Sequence, residues 1–221
     1  MKQKVAFFHT TPATVQPMKQ QFLARYPDVQ LISILDDGIL PEVIANGGTP
    51  SRSITRRLVA YGALAQEQGA AAFVCMCTTL GIAMREAQAA IEIPMLTIDG
   101  PMLQTAVQKG RRIGMLITFA PTEKPSRAAC LAFAADAGKR VDVDVILVEG
   151  ARDALNAGDK PLHDRLIEEK ARACVADYDA LVFAQATMTD AADRCADLPL
   201  PILTSVASGL SQLAPILGTT A

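Results

Sequence analysis

Short apolar runs alternate with longer amphipathic stretches along this chain, the pattern of β-α units wound about a parallel sheet. The runs that read as strands are Val5–His9, Val29–Leu35, Ala71–Met76, Pro94–Thr97, Ile113–Thr118, Val143–Val148, Ala180–Ala184 and Pro201–Thr204. Thr49, after Asn46-Gly47-Gly48, and Asp159, after Asn156-Ala157-Gly158, are good helix N-caps, each predicted to open a long helix.

Eight strands divide naturally into two sets of four, because the chain repeats itself. Val5-Ala6-Phe7-Phe8-His9-Thr10 corresponds to Ile113-Gly114-Met115-Leu116-Ile117-Thr118, and Ala72-Phe73-Val74-Cys75-Met76-Cys77 to Ala180-Leu181-Val182-Phe183-Ala184-Gln185, both 108 residues apart. Pro94-Met95-Leu96-Thr97 corresponds to Pro201-Ile202-Leu203-Thr204 and Asn46-Gly47-Gly48-Thr49 to Asn156-Ala157-Gly158-Asp159, at nearly the same separation. The expected fold class is α/β: two pseudo-symmetric lobes, each a four-stranded, mainly parallel sheet flanked by helices. Residues 1–98 with 205–221 should form the first lobe and 99–204 the second. Ligands of parallel α/β sheets bind beyond the carboxyl ends of the strands. Duplicated halves would set those ends on one cleft between the lobes, lined by Thr10 with Thr118, Cys77 with Gln185, and Thr79 with Thr187.

Composition narrows the function. The 221 residues are 50% hydrophobic with a formal net charge of -2 and 5% aromatic, so no basic or aromatic-basic surface for nucleic acid is expected. The apolar start is too short for a signal peptide, and no run approaches a membrane span, which points to a cytoplasmic address and no membrane partner. Five cysteines without a secretory signal argue against a disulfide framework. Two histidines and one C-x-C pair (Cys75, Cys77) make no zinc site, and no metal is expected. Cys130, Cys174 and Cys195 read as small buried hydrophobes. Neither GxxxxGK[ST] nor GxGxxG is present, and no cofactor is expected. A homo-oligomer stays open.

The candidate chemistry gathers at Cys77. It follows an apolar run, and Thr78-Thr79-Leu80-Gly81 is predicted to open a helix running to about Ala90. A thiol there meets the positive end of a helix dipole and unpaired backbone N–H groups, a setting that lowers a cysteine pKa from about 8.5 to roughly 3.5–7.5. Thr78 and Thr79 offer hydroxyls and amides to an anion in the same place.

Cys77-Thr78-Thr79-Leu80-Gly81 resembles the first cysteine element of the aspartate/glutamate/hydantoin racemase superfamily. His9-Thr10-Thr11-Pro12, Gly110-Arg111-Arg112-Ile113-Gly114, Thr118 and Phe183-Ala184-Gln185-Ala186-Thr187-Met188 are similar to that superfamily's other motifs, in the same order over nearly the whole chain. The resemblance implies cofactor-free chemistry at a carbon next to a carboxylate or carbonyl of a small acid, of amino-acid or hydantoin type. Two cysteines there exchange protons on opposite faces of the substrate. It also implies that Thr78 and Thr79 hold a carboxylate oxygen while Thr10, Thr11, Thr118 and Thr187 line the pocket. Phe119 falls where some relatives carry a substrate-contacting aromatic, and a place in the core fits it equally.

The sequence departs from the family at one point: Gln185 stands where the second cysteine belongs, and a carboxamide does no useful proton transfer near neutral pH. His9 could replace that base, since imidazole titrates near neutrality, or could simply bond a neighbouring loop. One cysteine could suffice, as in the related arylmalonate decarboxylases, although theirs occupies the second motif. Cys77 could instead be a nucleophile, as in the related maleate isomerases. A non-catalytic small-carboxylate binder that lost half its catalytic pair is the rival from another class. His163, amid Asp164, Arg165, Glu168 and Glu169, reads as a solvated residue. The pairs Arg56-Arg57 and Arg111-Arg112 read as solvated charge, and Asp36-Asp37-Gly38 as a turn or a cleft loop.

Overall fold

The computed structural model describes residues 2–219. Two compact units emerge: Met1–Ile98 with Gly209–Ala221, and Asp99–Ser208. Ser205–Ser208 thus belong with the second unit.

The first unit holds β1 (Lys4–His9), β2 (Gln30–Leu35), β3 (Ala70–Cys75) and β4 (Met95–Thr97), interleaved with α1 (Val15–Arg25), α2 (Ile39–Ala45), α3 (Arg52–Glu67) and α4 (Gly81–Gln88). The second holds α5 (Gly100–Lys109), β5 (Arg112–Ile117), α6 (Glu123–Asp136), β6 (Asp142–Leu147), α7 (Ala151–Asn156), α8 (Lys160–Cys174), β7 (Ala180–Phe183), α9 (Thr189–Asp193) and β8 (Ile202–Thr204). Helix α10 (Ser205–Ser211) leads back to the first unit, where α11 (Ala214–Leu217) ends the fold. All eight strands lie within a residue or so of their expected positions. Each sheet is wholly parallel, ordered β2-β1-β3-β4 and β6-β5-β7-β8.

The central strands are the ones without polar interruptions. Val5–His9 of β1, Ala72–Cys75 of β3, Ile113–Ile117 of β5 and all of β7 are buried, as strands covered by helices on both faces must be. The edge strands β2 and β6 keep Gln30, Ser33, Asp142 and Asp144 toward solvent. In the first unit, Phe8, Phe73 and Cys75 pack with Ile39, Val43, Leu58 and Met84 from α2, α3 and α4. The opposite face carries Phe7 edge-on to Phe22 of α1, ring centroids 5.0 Å apart. In the second unit, Met115 and Val182 meet α5 and α6, whereas Leu116 and Phe183 meet α8 and α9.

Two bonds tie the returning C-terminal segment to the first sheet's surroundings. Tyr26 Oη donates to Leu210 O at 2.9 Å, and Gln212 Nε2 to Thr97 O at 3.1 Å. At Gly209 a Cβ would lie 2.0 Å from the carbonyl oxygen of Ile98, so any side chain there would push the segment away.

Three sequence expectations need correction. The N-cap of α3 is Ser51, whose hydroxyl accepts from Ile54 N–H at 3.3 Å, and not Thr49. Thr49 is held instead in the loop after α2, where its N–H bonds Asn46 O at 3.4 Å and its carbonyl accepts from Asn46 Nδ2 at 2.7 Å. Asp159 does cap α8, accepting from Leu162 N–H at 3.0 Å. His163 is fully buried, because α8 turns His163, Ile167 and Ala171 inward at a four-residue spacing. Arg57 is not a free solvated charge; its guanidinium pairs with Asp36 and, at 3.2 Å, with Glu42. Among the described residues no helix is long and apolar enough to cross a membrane.

Candidate functional site

The sequence-predicted residues of the first unit collect at the carboxyl ends of β1 and β3. Cys77 lies two residues beyond β3, where Ile98 N–H and Met76 N–H bond Cys75 O and Phe8 O at 3.0 and 2.9 Å. Its backbone is extended (φ −132°, ψ 110°), and it caps a 3₁₀ turn, Thr78–Leu80. Helix α4 starts only at Gly81, so Cys77 stands one turn upstream of the helix expected to begin at Thr78. Its Sγ is 2.9 Å from Thr79 Oγ1, and either atom can be the donor. The sulfur is half-buried, Thr78 likewise, and Thr79 is buried.

His9 is fully buried at the end of β1. The Thr14 hydroxyl donates to Thr11 O at 3.2 Å, so it accepts from His9 Nδ1–H at 2.8 Å. That fixes the tautomer and leaves Nε2 as an acceptor, without a hydrogen-bond partner among the described residues. Burial pushes the imidazole pKa from 6.5 down to about 4, so His9 is neutral at physiological pH. Strand alternation places His9 on the face of Phe7, its ring 6.3 Å away, whereas Cys77 packs with the cluster of Phe8 and Cys75 on the other face. Thr10 is buried beside it, and Thr11 caps the next 3₁₀ turn, accepting from Ala13 N–H at 3.4 Å.

Behind this end of the sheet lies a cluster that the sequence did not disclose. Asp36 accepts from Tyr61 Oη at 2.7 Å, from Gly38 N–H at 3.2 Å and from Arg57. Burial works to raise the Asp36 pKa, but the bonds from Tyr61 and Arg57 outweigh it and hold the carboxylate ionised. The Tyr61 ring stacks on Phe8 at 5.3 Å. Asp36-Asp37-Gly38 is therefore an anchored turn.

In the second unit the counterpart cluster is closed by Gln185. It caps the 3₁₀ turn Ala186–Met188 with an extended backbone (φ −108°, ψ 144°), in the same local geometry as Cys77. Its Oε1 accepts Thr118 N–H at 2.8 Å and faces Thr118 Oγ1 at 3.4 Å, while its Nε2 donates to Thr122 Oγ1 at 3.2 Å. Thr122 in turn donates to Phe119 O at 2.6 Å. Thr118 is buried and Thr187 is exposed on the turn. The Phe119 ring is half-buried and carries the Arg152 guanidinium 4.1 Å above it. Thr14 and Thr122, missed in the sequence, each fall four residues after a motif threonine, Thr10 and Thr118, and that shared spacing was the available signal.

No group of three or more His, Cys, Asp or Glu able to hold a metal occurs among the described residues. Cys130, buried, has its thiol pushed up to about 11, and burial likewise raises Cys174 and Cys195, so these three are poor thiolates. Cys174 is half-buried rather than fully enclosed.

Parallel β-α units, a strand-end cysteine over a polar turn and a matching turn in the second unit describe one class of enzyme fold. The family model for Asp/Glu/Hydantoin racemase matches residues 8–213, and the chain belongs to that family. Among solved structures it is similar to the aspartate racemase of Picrophilus torridus, at 13% identity and TM-score 0.69, covering 99% of this chain and 95% of that one. It is similar to the glutamate racemase of Francisella tularensis, in complex with D-glutamate, at 15% identity and TM-score 0.70 over 98% of this chain and 81% of that one. An unliganded arylmalonate decarboxylase is 19% identical with TM-score 0.62 over 99% and 94%. The comparison with curated proteins gave no match.

Proposed function

We propose that this protein is a cofactor-independent, racemase-like enzyme acting at the carbon alpha to a carboxylate or carbonyl of a small acid, with Cys77 as its single proton-transfer group. The observation that carries the reading is the contact of 2.9 Å between Cys77 Sγ and Thr79 Oγ1 at the carboxyl end of β3, in a chain of this family. As a thiolate, Cys77 accepts the α-proton while the C–H electron pair moves into the carbonyl, giving an enolate-like species; the thiol then returns a proton to the same carbon. The Thr79 hydroxyl serves both states, donating to the thiolate and accepting from the thiol. Thr78, Thr10 and Thr11 supply further polar groups on that side. Thr118 and Thr187 supply polar groups at the corresponding strand ends of the second unit.

His9 takes no part in the proton transfer: its Nδ1 is committed to Thr14 and its imidazole stays neutral down to about pH 4. Gln185 offers no second acid, which favours reactions needing one proton transfer. One-sided α-proton exchange is such a reaction, and so is loss of carbon dioxide from a malonate followed by protonation of the enolate by Cys77.

Deuterium exchange and decarboxylation across a panel of amino acids, hydantoins and malonates test the reading. Exchange or decarboxylation lost in Cys77→Ala supports it. Saturable binding of panel members with no turnover in the wild type would identify a binding protein instead.

A further inference from the structure

From its hydrogen-bond geometry we infer that Gln185 is an oriented, donor-only group that binds an oxygen atom of the substrate, with Thr122 as the residue that positions it. The inference rests on the proposed function, because it assumes a small acid bound at these strand ends.

The amide orientation follows from its neighbours. A backbone N–H can only donate, so the atom 2.8 Å from Thr118 N must be Oε1. That oxygen also faces the Thr118 hydroxyl, so its acceptor capacity is engaged by the protein. Nε2 carries two hydrogens. One goes to Thr122 Oγ1, whose own proton is spent on Phe119 O at 2.6 Å, so the hydroxyl can only accept from Gln185. The second Nε2–H has no partner among the described residues, and the side chain is half-buried rather than enclosed.

Such a group selects ligands by chemistry. It presents one N–H with no lone pair beside it, so it suits a carboxylate or carbonyl oxygen and offers nothing to an ammonium. A cysteine at this position would be an acid and base; the locked carboxamide is a fixed dipole that stabilises negative charge without taking a proton. A ligand held by Gln185 therefore turns an oxygen toward it.

The test uses the full-length chain with malonate as probe and methylammonium as the cationic comparison. In ¹⁵N-labelled protein, malonate should shift one of the two Gln185 side-chain amide protons, and methylammonium should leave both in place. Gln185→Ala should weaken malonate binding on the order of tenfold, as expected for one hydrogen bond to a charged group. Gln185→Glu, which puts an anion there, should weaken it further. Thr122→Val should leave the chain folded, broaden the difference between the two amide protons and weaken malonate, whereas Thr122→Ser should restore both properties. Malonate affinity unchanged in Gln185→Ala and Gln185→Glu, or no malonate binding by the wild type at millimolar concentration, would overturn the inference. Cys77→Ala separates the two ideas. Loss of exchange or decarboxylation in that variant, with Gln185 variants indifferent to malonate, sinks only this inference; turnover that survives it sinks the parent reading.

Discussion

Cys77 Sγ and Thr79 Oγ1 stand 2.9 Å apart across one turn of backbone, a half-buried sulfur against a buried hydroxyl. The hydroxyl can complement either protonation state of the sulfur, which suits a group that must take a proton and give it back. Cys77→Ala should therefore lower α-proton exchange by at least about 10²-fold, the ordinary contribution of a positioned acid–base group. Thr79→Val should cost about tenfold in kcat, the value of one lost hydrogen bond, and Thr79→Ser should recover most of it. Rates by NMR-detected deuterium exchange decide the matter; a Thr79→Val enzyme of wild-type rate would show that the contact is incidental.

His9 makes a separate statement about pH. Its imidazole has a pKa of about 4 in the folded chain, against 6.5 in the unfolded one. Between those values the unfolded chain binds a proton that the native state refuses, so stability falls as pH drops from 6.5 toward 4. The full loss is about 2–3 kcal/mol. Asp36 acts lower: its carboxylate is held below the ordinary range, so its stabilisation disappears only at more acid pH, as the folded group protonates. Urea unfolding at steps from pH 7 to 4.5 should show the slope in the wild type and a flatter profile in His9→Gln. Equal slopes in the two proteins would contradict the buried, neutral assignment.

The strands were legible because the central ones are unbroken apolar runs, and Val5–Phe8 or Leu181–Phe183 fit little else. The turn cysteine was legible for the same reason: the place where such a run stops marks the carboxyl end of a strand. Helix starts were less so, since Thr49 and Ser51 are both good caps and the choice between them rests on packing and on the Asn46 side chain, which holds the Thr49 carbonyl. His163 misled through its charged neighbours, although the spacing to Ile167 and Ala171 already placed it on the inward stripe of α8. The cluster of Asp36 with Arg57 and Tyr61 could not be read at all. Its members come from a loop after β2 and from α3, and only packing brings them together. The lock on Gln185 is of the same kind, joining residues 67 apart in sequence.

The buried His163 depends on Asp164, whose Oδ1 lies 2.7 Å from His163 Nδ1 and whose oxygens both meet Lys160 Nζ at 2.6 Å. Lys160 also reaches Asp190 of α9 at 2.8 Å, but that carboxylate is 70% exposed. The two acids should therefore behave differently. Asp164→Ala strands a buried imidazole nitrogen and leaves the Lys160 ammonium with only the exposed Asp190, at about 3 kcal/mol. Asp190→Ala removes only a solvated pair, worth less than about 1 kcal/mol. Thermal melts of the two variants side by side would check the ranking, and equal losses would refute it.

The loop before β5 supplies a last prediction. Asp179 accepts Arg111 N–H at 2.6 Å and Arg112 N–H at 2.8 Å, gripping the strand entrance with two backbone bonds. To do so it lies directly against Gly110, where an added Cβ would fall 2.1 Å from Asp179 Cβ. Gly110 has φ −176°, which any residue can adopt, so the glycine is required by space and not by backbone conformation. Gly110→Ala must therefore displace Asp179, losing both bonds, and should destabilise the fold measurably. Asp179→Gly loses the same bonds and removes the colliding Cβ, which alanine would keep. Once Asp179→Gly is made, adding Gly110→Ala should cost almost nothing further. This double-mutant cycle, read by urea unfolding, isolates the collision, since independent sites would give additive losses.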